Sequence, residues 1–154
     1  MQLPDARLLL VGSGEDLNHL RELATELGIA AHVHFVGRVS ATEVPFYYRL
    51  GTVTVDPMRD SLPARSSLSL KLIETIAAGV PCVTSDIGDR RRLAGEAGIA
   101  VPPGNARALA EGLLAVLQNP EQAARMRQAA RSLREENWWD VRVHTFTSLY
   151  PHAS

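Results

Sequence analysis

Cysteine is scarce in this sequence: Cys82 is the only one, so no internal disulfide bond can form. The chain therefore lacks the disulfide framework on which many small secreted proteins depend, and we expect it to be cytoplasmic. Cys82 also lies in an apolar stretch, where a free cysteine is usually a small buried hydrophobic side chain. A role for Cys82 as a nucleophile or metal ligand is the weaker interpretation.

Long apolar runs and an excess of charge are absent as well. No apolar run approaches the roughly 20 residues of a membrane-spanning helix, and the N-terminal stretch MQLPDARLLLVGSG lacks the features of a signal peptide. We therefore expect no transmembrane or export segment. A formal net charge of -1 gives no reason to expect nucleic acid as a partner. A length of 154 residues with 45% hydrophobic content predicts one soluble domain over residues 1–154.

The most strongly patterned stretch covers residues 66–86 and reads SSLSLKLIETIAAGVPCVTSD. Residues 68–78 contain no helix breaker, Gly79 follows where a left-handed C-terminal residue belongs, and Pro81 prevents any continuation. The next residues, PCVTS, have the composition of a short strand. The stretch therefore predicts a helix, a tight turn and a strand in succession.

One face of this predicted helix is polar. Lys71, the only lysine of the chain, stands at i, i+3 and i+4 spacing with Glu74 and Thr75. The other positions are mostly apolar, which is typical of a helix that is buried on nearly every side and lines a cleft with its polar stripe. The alternative is that Lys71 and Glu74 form an ordinary ion pair on the surface.

The chain begins with a predicted strand, a glycine turn and a helix. Arg7–Val11 is an apolar run typical of a strand covered on both faces, and apolar residues recur at helical spacing over 16–28. The turn between them contains Gly12 and Gly14. Such a turn can bring backbone N–H groups against a phosphate, although by spacing alone a structural turn is the better interpretation. The third glycine of the dinucleotide fingerprint is absent, so we do not expect NAD.

Strands and helices continue to alternate along the rest of the sequence. Residues 32–36, 52–57 and 98–101 have the composition of strands. Later helices begin at a capping box, Ser40–Glu43, and at the caps Asn105 and Asn119, with tail helices over about 120–150. In the last helix we expect Trp138 and Trp139 in the core. This order predicts a doubly wound, Rossmann-like α/β fold with a mainly parallel sheet.

Three other features allow more than one interpretation. Residues 58–65 are polar and contain proline, and we predict a mobile loop there. The arginines of 90–92 are predicted to be a solvated helix start, with an anion or partner contact as the alternative. His32 and His34 share a face of the predicted strand and are interpreted as a solvated or edge pair, because no third metal ligand lies nearby.

Glycine turns and polar loops follow the carboxyl ends of the predicted strands. They are the turn at Gly12, the turn at 37–39, the loop at 57–66 and the polar stripe of the helix over 68–78. In open α/β sheets, ligands bind at the carboxyl ends of the strands. We therefore expect these segments to converge on one binding site.

Six segments, in their order and spacing, carry a resemblance to a known family. They are ARLLLVGSGEDLNHL, VHFVGRVSATEVPFYYR, VTVDPMRDS, LKLIETIAAGVPCVTSDIG, GIAVPPGNARALAEGLLAVLQNP and the closing WWDV…LY. The chain resembles, over essentially its whole length, the C-terminal nucleotide-sugar-binding domain of GT-B glycosyltransferases of the glycosyltransferase 4 family. The resemblance implies a retaining transfer from a nucleoside-diphosphate sugar, without a metal ion or other cofactor.

The resemblance also implies a donor site. Its residues are Gly12, Gly14, Arg38, Val39, Ser66, Ser69, Leu70, Lys71 and Glu74. Glu74 matches the second of two family glutamates and would accept hydrogen bonds from the ribose hydroxyls. Ser69, Leu70 and Lys71 would offer backbone N–H groups at the helix start to the diphosphate, and Arg38 and Val39 would border the base. No residue is assigned as catalytic or as a metal ligand.

Two departures from the family pattern limit what the resemblance implies. Ser66 replaces the first glutamate and cannot accept a sugar hydroxyl with the strength of a carboxylate. In the family, a strand and helix with a diphosphate-clamping Arg and Lys precede the segment matching RLLLV, and an acceptor-binding domain precedes those. Neither has a counterpart here. We expect RLLLV and TVTVD to close onto each other, or a second chain or copy to supply the missing strand.

Two functions therefore remain open from the sequence. The first is the donor-binding half of a retaining glycosyltransferase, and we expect the isolated chain to be inactive without an acceptor-binding domain. The second is a non-catalytic or partner-completed nucleotide-sugar-binding module, or a truncated remnant. A sugar-nucleotide epimerase of related fold has less support. The sequence does not specify the base, the sugar or the acceptor.

Overall fold

The protein in the computed structural model, which describes residues 3–136 and 139–148, divides into two compact units. The units are Met1–Tyr47 and Tyr48–Ser154. Both contain helices and parallel strands, so the predicted α/β class with parallel pairing is confirmed. That residues 1–154 act as one domain stays a prediction.

The first unit contains a pair of parallel strands connected through a helix. Its elements are β1 (Leu8–Val11), α1 (Leu17–Glu26), a 3-10 turn (Ala30–His32), β2 (Val33–Gly37) and the first residues of α2 (Val44–Leu50). β1 runs parallel to β2, with Leu8 opposite Val33. Gly28 has a φ of +67°, a conformation that favours glycine, and the chain leaves α1 there as predicted.

Two predictions for the first unit are wrong. β1 is not covered on both faces, because Leu8 and Leu9, which point to opposite faces of the strand, are each 41% exposed. Its strand partner β2 pairs along its edge and covers neither face. His32 and His34 do not share a strand face, since His32 belongs to the 3-10 turn. The His32 ring nitrogen Nδ1 instead lies 2.7 Å from Nη1 of Arg7.

The second unit contains a three-stranded parallel sheet and most of the helices. The strands are β3 (Thr54–Asp56), β4 (Cys82–Ser85) and β5 (Gly98–Val101), in the order β3-β4-β5. The helices are α3 (Leu62–Ser66), α4 (Leu70–Ala78), α5 (Arg90–Ala94), α6 (Ala106–Leu117), α7 (Pro120–Glu136) and α8 (Trp139–Ser148), with a 3-10 turn at Gly95–Ala97. All four residues of the central strand β4 are buried.

Side chains of the sheet and of the helices α6 and α7 form the main core of the second unit. The buried members are Val83, Val101, Val116, Ala123 and Met126. Gly112 of α6 lies against β4 so closely that a Cβ there would come within 2.9 Å of Cγ1 of Val83. Close packing of this kind is what a parallel strand buried by helices requires.

Sequence signals at helix ends are confirmed in the second unit. α4 ends at Ala78, and Gly79 adopts a left-handed φ of +72°. The side-chain oxygen Oδ1 of Asn105 accepts a hydrogen bond from the backbone of Ala108 at 3.0 Å, so that α6 begins where predicted. Asn119 caps α7 in the same manner. Trp138 lies outside the described residues, as does the side chain of Trp139, so their predicted place in the core stays a prediction.

The strand pairing separates two alternatives given by the sequence. Within residues 3–136 and 139–148, β1 pairs with β2 alone and β3 pairs with β4 alone. The prediction that RLLLV and TVTVD close onto each other is therefore wrong. The alternative, that a second chain or copy adds a strand, stays a prediction.

The segment predicted as a mobile loop contains a helix. α3 occupies 62–66, and the hydroxyl of Ser61 caps it by accepting a hydrogen bond from the backbone N–H of Ala64 at 3.3 Å. Pro63 stands near the first helical position, where its missing N–H is not needed. A serine followed closely by proline is a helix-start signal, and the loop prediction overlooked it.

Cys82 provides a test of this core. Its side chain is fully buried, and burial, followed by the charge of Asp56, raises the pKa of its thiol to about 12 from 9.0. We expect no reaction with a thiol reagent in the native protein at about pH 8, near the pKa of a free thiol, and complete reaction in denaturing guanidinium chloride. The stability gained from keeping the thiol neutral is full below pH 9.0 and declines as the pH rises toward about 12. Rapid labelling of the native protein, followed by absorbance, would contradict the buried position.

Candidate functional site

The N-terminus of α4 is held by a serine that bonds in two directions. The Ser69 hydroxyl oxygen accepts a hydrogen bond from the backbone N–H of Leu72 at 3.4 Å and thereby caps the helix. The same hydroxyl donates to Oδ2 of Asp56, 3.0 Å away at the end of β3. Ser69 is buried. The first turn of α4 is therefore fixed to the sheet.

Asp56 is the centre of a buried polar network. Its Oδ2 accepts hydrogen bonds from Ser69, from the hydroxyl of Thr84 at 3.3 Å and from Nε of Arg90 at 2.9 Å. The side chains of Asp56 and Arg90 are only 5% and 4% exposed. A carboxylate at the end of a short, partly buried strand is the one sequence signal from which such a network could have been suspected.

Arg90 connects this network to α3. Its Nη1 donates to the backbone oxygen of Ala64 at 3.0 Å, and its Nη2 lies 3.4 Å from the hydroxyl of Ser67, the residue that ends α3. Gly88 leaves room for this approach: it has a φ of +58°, and a Cβ there would lie 2.7 Å from the backbone oxygen of Arg65. One guanidinium group thus joins α5, α3 and β3.

The arginine run therefore has two different environments. The interpretation as a solvated helix start holds for Arg91 and Arg92, which are exposed and pair with Asp86 and Asp89. It is wrong for Arg90, which is buried. The spacing of neighbouring arginines does not reveal which of them turns inward, because the acidic partner lies 34 residues away in sequence.

The polar stripe predicted on α4 divides between its buried and exposed faces. Lys71 and Glu74 are exposed, but Thr75 is buried with its hydroxyl 3.2 Å from that of Thr54. Leu70 is 67% exposed and Ile73 is 40% exposed. The prediction of a helix buried on nearly every side is therefore wrong, because β3, α5 and α7 cover α4 and leave the face with Leu70, Lys71 and Glu74 open.

Glu74 is held by a residue that the sequence analysis missed. The hydroxyl of Tyr48, in α2, donates a hydrogen bond to Oε2 of Glu74 at 2.9 Å. In the described part of the chain, Lys71 forms no ion pair with Glu74, so the alternative of a simple surface pair is not observed. No local pattern links Tyr48 to Glu74, because 26 residues separate them.

Ser66 lies at the end of α3, in the place that the resemblance assigns to a carboxylate. Its hydroxyl donates to the backbone oxygen of Leu62 at 3.0 Å. Ser66 is exposed, whereas Ser69, which follows it by three residues, is buried. In the second unit the structure thus brings Ser69, Leu70, Lys71 and Glu74 onto one helix, with Ser66 on the helix that precedes it.

The other four expected site residues lie in the first unit. Gly12 and Gly14 form the turn after β1, and the N–H of Gly12 donates to the backbone oxygen of Gly37 at 2.8 Å. A Cβ at Gly12 or Gly14 would meet no atom within 4 Å, so the turn leaves open space. Arg38, which is exposed, and Val39 follow the end of β2. That these residues share a site with α4 stays a prediction.

A cavity of about 330 Å³ opens at the carboxyl ends of the strands of the second unit. It is lined by Pro57, Ser85 and Val101 at the strand ends and by Asn105 and Leu109 of the α6 region.

In the described residues we find no group of three or more His, Cys, Asp or Glu side chains placed to hold a metal ion. No helix in that part of the chain has the length and apolar character needed to cross a membrane.

Comparison with protein families gives a match over most of the chain. The family described as "Glycosyl transferases group 1" matches residues 1–133. The GDP-mannose-dependent alpha-(1-6)-phosphatidylinositol monomannoside mannosyltransferase of Mycolicibacterium smegmatis is 31% identical, over 92% of this chain and 38% of that protein. The phosphatidyl-myo-inositol mannosyltransferase of Mycobacterium leprae is 34% identical, over 87% of this chain and 35% of that protein. The chain thus spans well under half the length of these curated relatives.

Solved structures share the fold. Sucrose-phosphate synthase from Thermosynechococcus elongatus superposes with a TM-score of 0.78 at 26% identity, over 97% of this chain and 39% of that one. Anabaena HepE in complex with UDP-glucose gives a TM-score of 0.78 at 18% identity, over 96% of this chain and 42% of that one. The likeness to HepE concerns the fold alone.

The network around Asp56 leads to a prediction about stability. We expect Arg90→Met to lower the free energy of unfolding by about 3–5 kcal/mol, because it leaves the Asp56 carboxylate buried without its cation. Arg91→Met is the matched control: it removes a neighbouring arginine whose pair is exposed, and we expect a much smaller change. Urea unfolding followed by circular dichroism measures both. An equal decrease in the free energy of unfolding in the two variants would mean that the buried ion pair stabilises the fold no more than the exposed one.

Proposed function

The chain belongs to the glycosyl transferases group 1 family, and we propose that it forms the donor-binding half of a retaining glycosyltransferase. Its donor is a nucleoside-diphosphate sugar, and the reaction needs no metal ion and takes place in the cytoplasm. The observation that best supports this proposal is the N-terminus of α4, which is fixed to the sheet by Ser69 while it exposes Lys71 and Glu74.

In this proposal the diphosphate binds at the start of α4. The first N–H groups of a helix have no acceptor inside it, and the helix dipole places partial positive charge there. Ser69 occupies the N–H of Leu72, which leaves those of Leu70 and Lys71 for phosphate oxygens. The ammonium group of Lys71 adds a full positive charge. Glu74, one turn further on the same exposed face, accepts a hydrogen bond from the ribose.

The same groups support the chemistry. In a retaining transfer the bond between the sugar and the diphosphate breaks, and the acceptor oxygen forms a bond on the same face of the sugar. The acceptor hydroxyl gives up its proton in this step, and the departing diphosphate can take it up. Negative charge grows on the departing diphosphate as that bond breaks. The fixed N–H groups stabilise this charge without having to reorganise, which is the usual origin of large rate effects, and Lys71 adds a positive charge. The acceptor would bind to a part of the enzyme outside this unit.

The relatives suggest which donors to test first. Two of them are named as mannosyltransferases, one of these as GDP-mannose-dependent, and a solved structure of the same fold contains UDP-glucose. We propose a hexosyl donor and take GDP-mannose and UDP-glucose as the two representatives.

Ser66 affects how strongly the sugar is recognised. Its neutral hydroxyl already donates to the backbone, so it gives the sugar weaker recognition than a carboxylate would.

A second candidate function rests on the strand edges. β1 and β3 each have one strand partner within the described residues, so each leaves a row of backbone groups open to a further strand. We therefore keep a partner-completed or non-catalytic nucleotide-sugar-binding module as the alternative. A second chain, or a second copy of this one, would supply the strand.

Calorimetric titration with GDP, UDP, GDP-mannose and UDP-glucose tests the proposal. We expect one nucleotide series to bind, and we expect Glu74→Gln to raise its Kd about 10- to 100-fold, because a neutral amide oxygen accepts the ribose hydroxyl more weakly than a carboxylate does. Glu121→Gln, which changes an exposed glutamate of α7, serves as the control and should leave Kd unchanged.

The outcomes distinguish donor binding by this chain alone from binding that needs a partner. An unchanged Kd in Glu74→Gln would remove Glu74 from the site. Failure of the folded wild-type chain to bind any of the four ligands would reject donor binding by this chain alone and favour the partner-completed module.

A further inference from the structure

Tyr48, which is not among the expected donor-site residues, contacts Glu74, which is one of them. The two residues lie on different helices, α2 and α4, and both belong to the second unit. The hydroxyl of Tyr48 is 2.9 Å from Oε2 of Glu74. Tyr48 is half-buried, whereas Glu74 is exposed. The contact therefore joins an anchored side chain to a side chain that would otherwise move freely in solvent.

An exposed glutamate is a poor ligand-binding group unless something holds it. Its side chain has three rotatable bonds, and fixing them on binding costs conformational entropy. A tyrosine has only two, and half-burial restricts its ring further, so a hydrogen bond to Tyr48 restricts Glu74 as well. Lys71, the nearest cation on α4, forms no ion pair with Glu74 in the described part of the chain. Tyr48 is thus the side chain that orients this carboxylate.

The protonation of Tyr48 agrees with a permanent donor role. Burial, followed by the hydrogen bond to Glu74 and the charges of Glu74 and Asp56, raises the pKa of the Tyr48 hydroxyl well above its usual value. The hydroxyl therefore stays protonated over the range in which proteins are normally assayed, and it can only donate to Glu74.

We propose that Tyr48 is a positioning residue for the nucleotide donor: it holds Oε2 of Glu74 so that Oε1 faces the ligand and accepts a ribose hydroxyl. This inference rests on the proposed function, because it takes Glu74 as the ribose-binding group. Tyr48 itself need not touch the ligand. Its contribution is to select the orientation of Glu74 before the ligand arrives, and such preorganisation improves affinity by lowering the entropic cost of binding.

The test compares Tyr48→Phe with Tyr47→Phe. Tyr48→Phe removes only the hydroxyl and keeps the ring, so we expect its melting temperature within about 2 °C of wild type. Tyr47 is the adjacent tyrosine, is also half-buried, and packs edge-to-face on Phe46. With the nucleoside diphosphate that binds wild type, we expect Tyr48→Phe to raise Kd about 3- to 10-fold and Tyr47→Phe to leave it unchanged.

A ligand that lacks the ribose hydroxyls shows whether Tyr48 acts through them. The 2′,3′-dideoxy form of the same nucleotide offers Glu74 nothing to accept, so wild type and Tyr48→Phe should bind it with equal Kd. The double variant Tyr48→Phe with Glu74→Ala should bind the ribonucleotide as Glu74→Ala alone does, because the effect of Tyr48 passes through the Glu74 side chain. A purely structural role for Tyr48 would lower the affinity for both nucleotides.

Each other outcome rejects a defined part of the argument. The role of Tyr48 is overturned if Tyr48→Phe leaves Kd unchanged, or if it lowers the affinity equally for the ribose and dideoxy nucleotides. In either case, a large effect of Glu74→Gln on Kd would leave the proposed function intact. A wild-type chain that binds the ribose and dideoxy nucleotides equally overturns the role of both residues in ribose recognition. A folded chain that binds no nucleotide overturns the proposed function, and the positioning role with it.

Discussion

The buried ion pair of Asp56 and Arg90 is the interaction on which the arrangement of the second unit depends. Taking two charges out of water costs several kcal/mol for each ion, and their attraction offsets this cost only when the remaining hydrogen-bonding groups are also satisfied. Here Asp56 also accepts from two hydroxyl groups, and Arg90 also donates to the end of α3. Within the described residues, no buried side-chain nitrogen or oxygen lacks a hydrogen-bond partner. The pair is therefore satisfied only when β3, β4, α3, α4 and α5 keep their present positions.

This constraint gives α4 an N-terminus that is ordered before any ligand binds. Ser69 is fixed by Asp56 and in turn fixes the first turn of the helix, so the backbone N–H groups there have one direction. Tyr48 does the same for Glu74 on the second turn. Lys71 and Glu74 lie on one exposed face of α4 and carry opposite charges. They do not form an ion pair with each other. An anion and a hydroxyl group could therefore be recognised on that face without breaking an existing ion pair.

Local features of this fold could be predicted from the sequence, and long-range contacts could not. Gly79, Asn105 and Asn119 mark helix ends through bonds to residues three or four positions away, and such signals are present in any short window of sequence. Arg90 and Tyr48 act through partners 34 and 26 residues away, and nothing in their neighbourhood distinguishes them from solvated residues. The exposure of Leu70 and Ile73 was missed for a related reason: composition shows that a helix is apolar, but only the packing shows how much of it is covered.

The replacement of a carboxylate by Ser66 changes the electrostatics of the expected donor site as well as its hydrogen bonding. A carboxylate close to the start of α4 would repel a diphosphate and partly cancel the positive end of the helix dipole. The resemblance implies such a carboxylate in the family, where two clamp residues of positive charge accompany it. In this chain a neutral hydroxyl stands at that place, and it donates to the backbone oxygen of Leu62. Without that negative charge, Lys71 and the N-terminus of α4 would attract a diphosphate with less opposition.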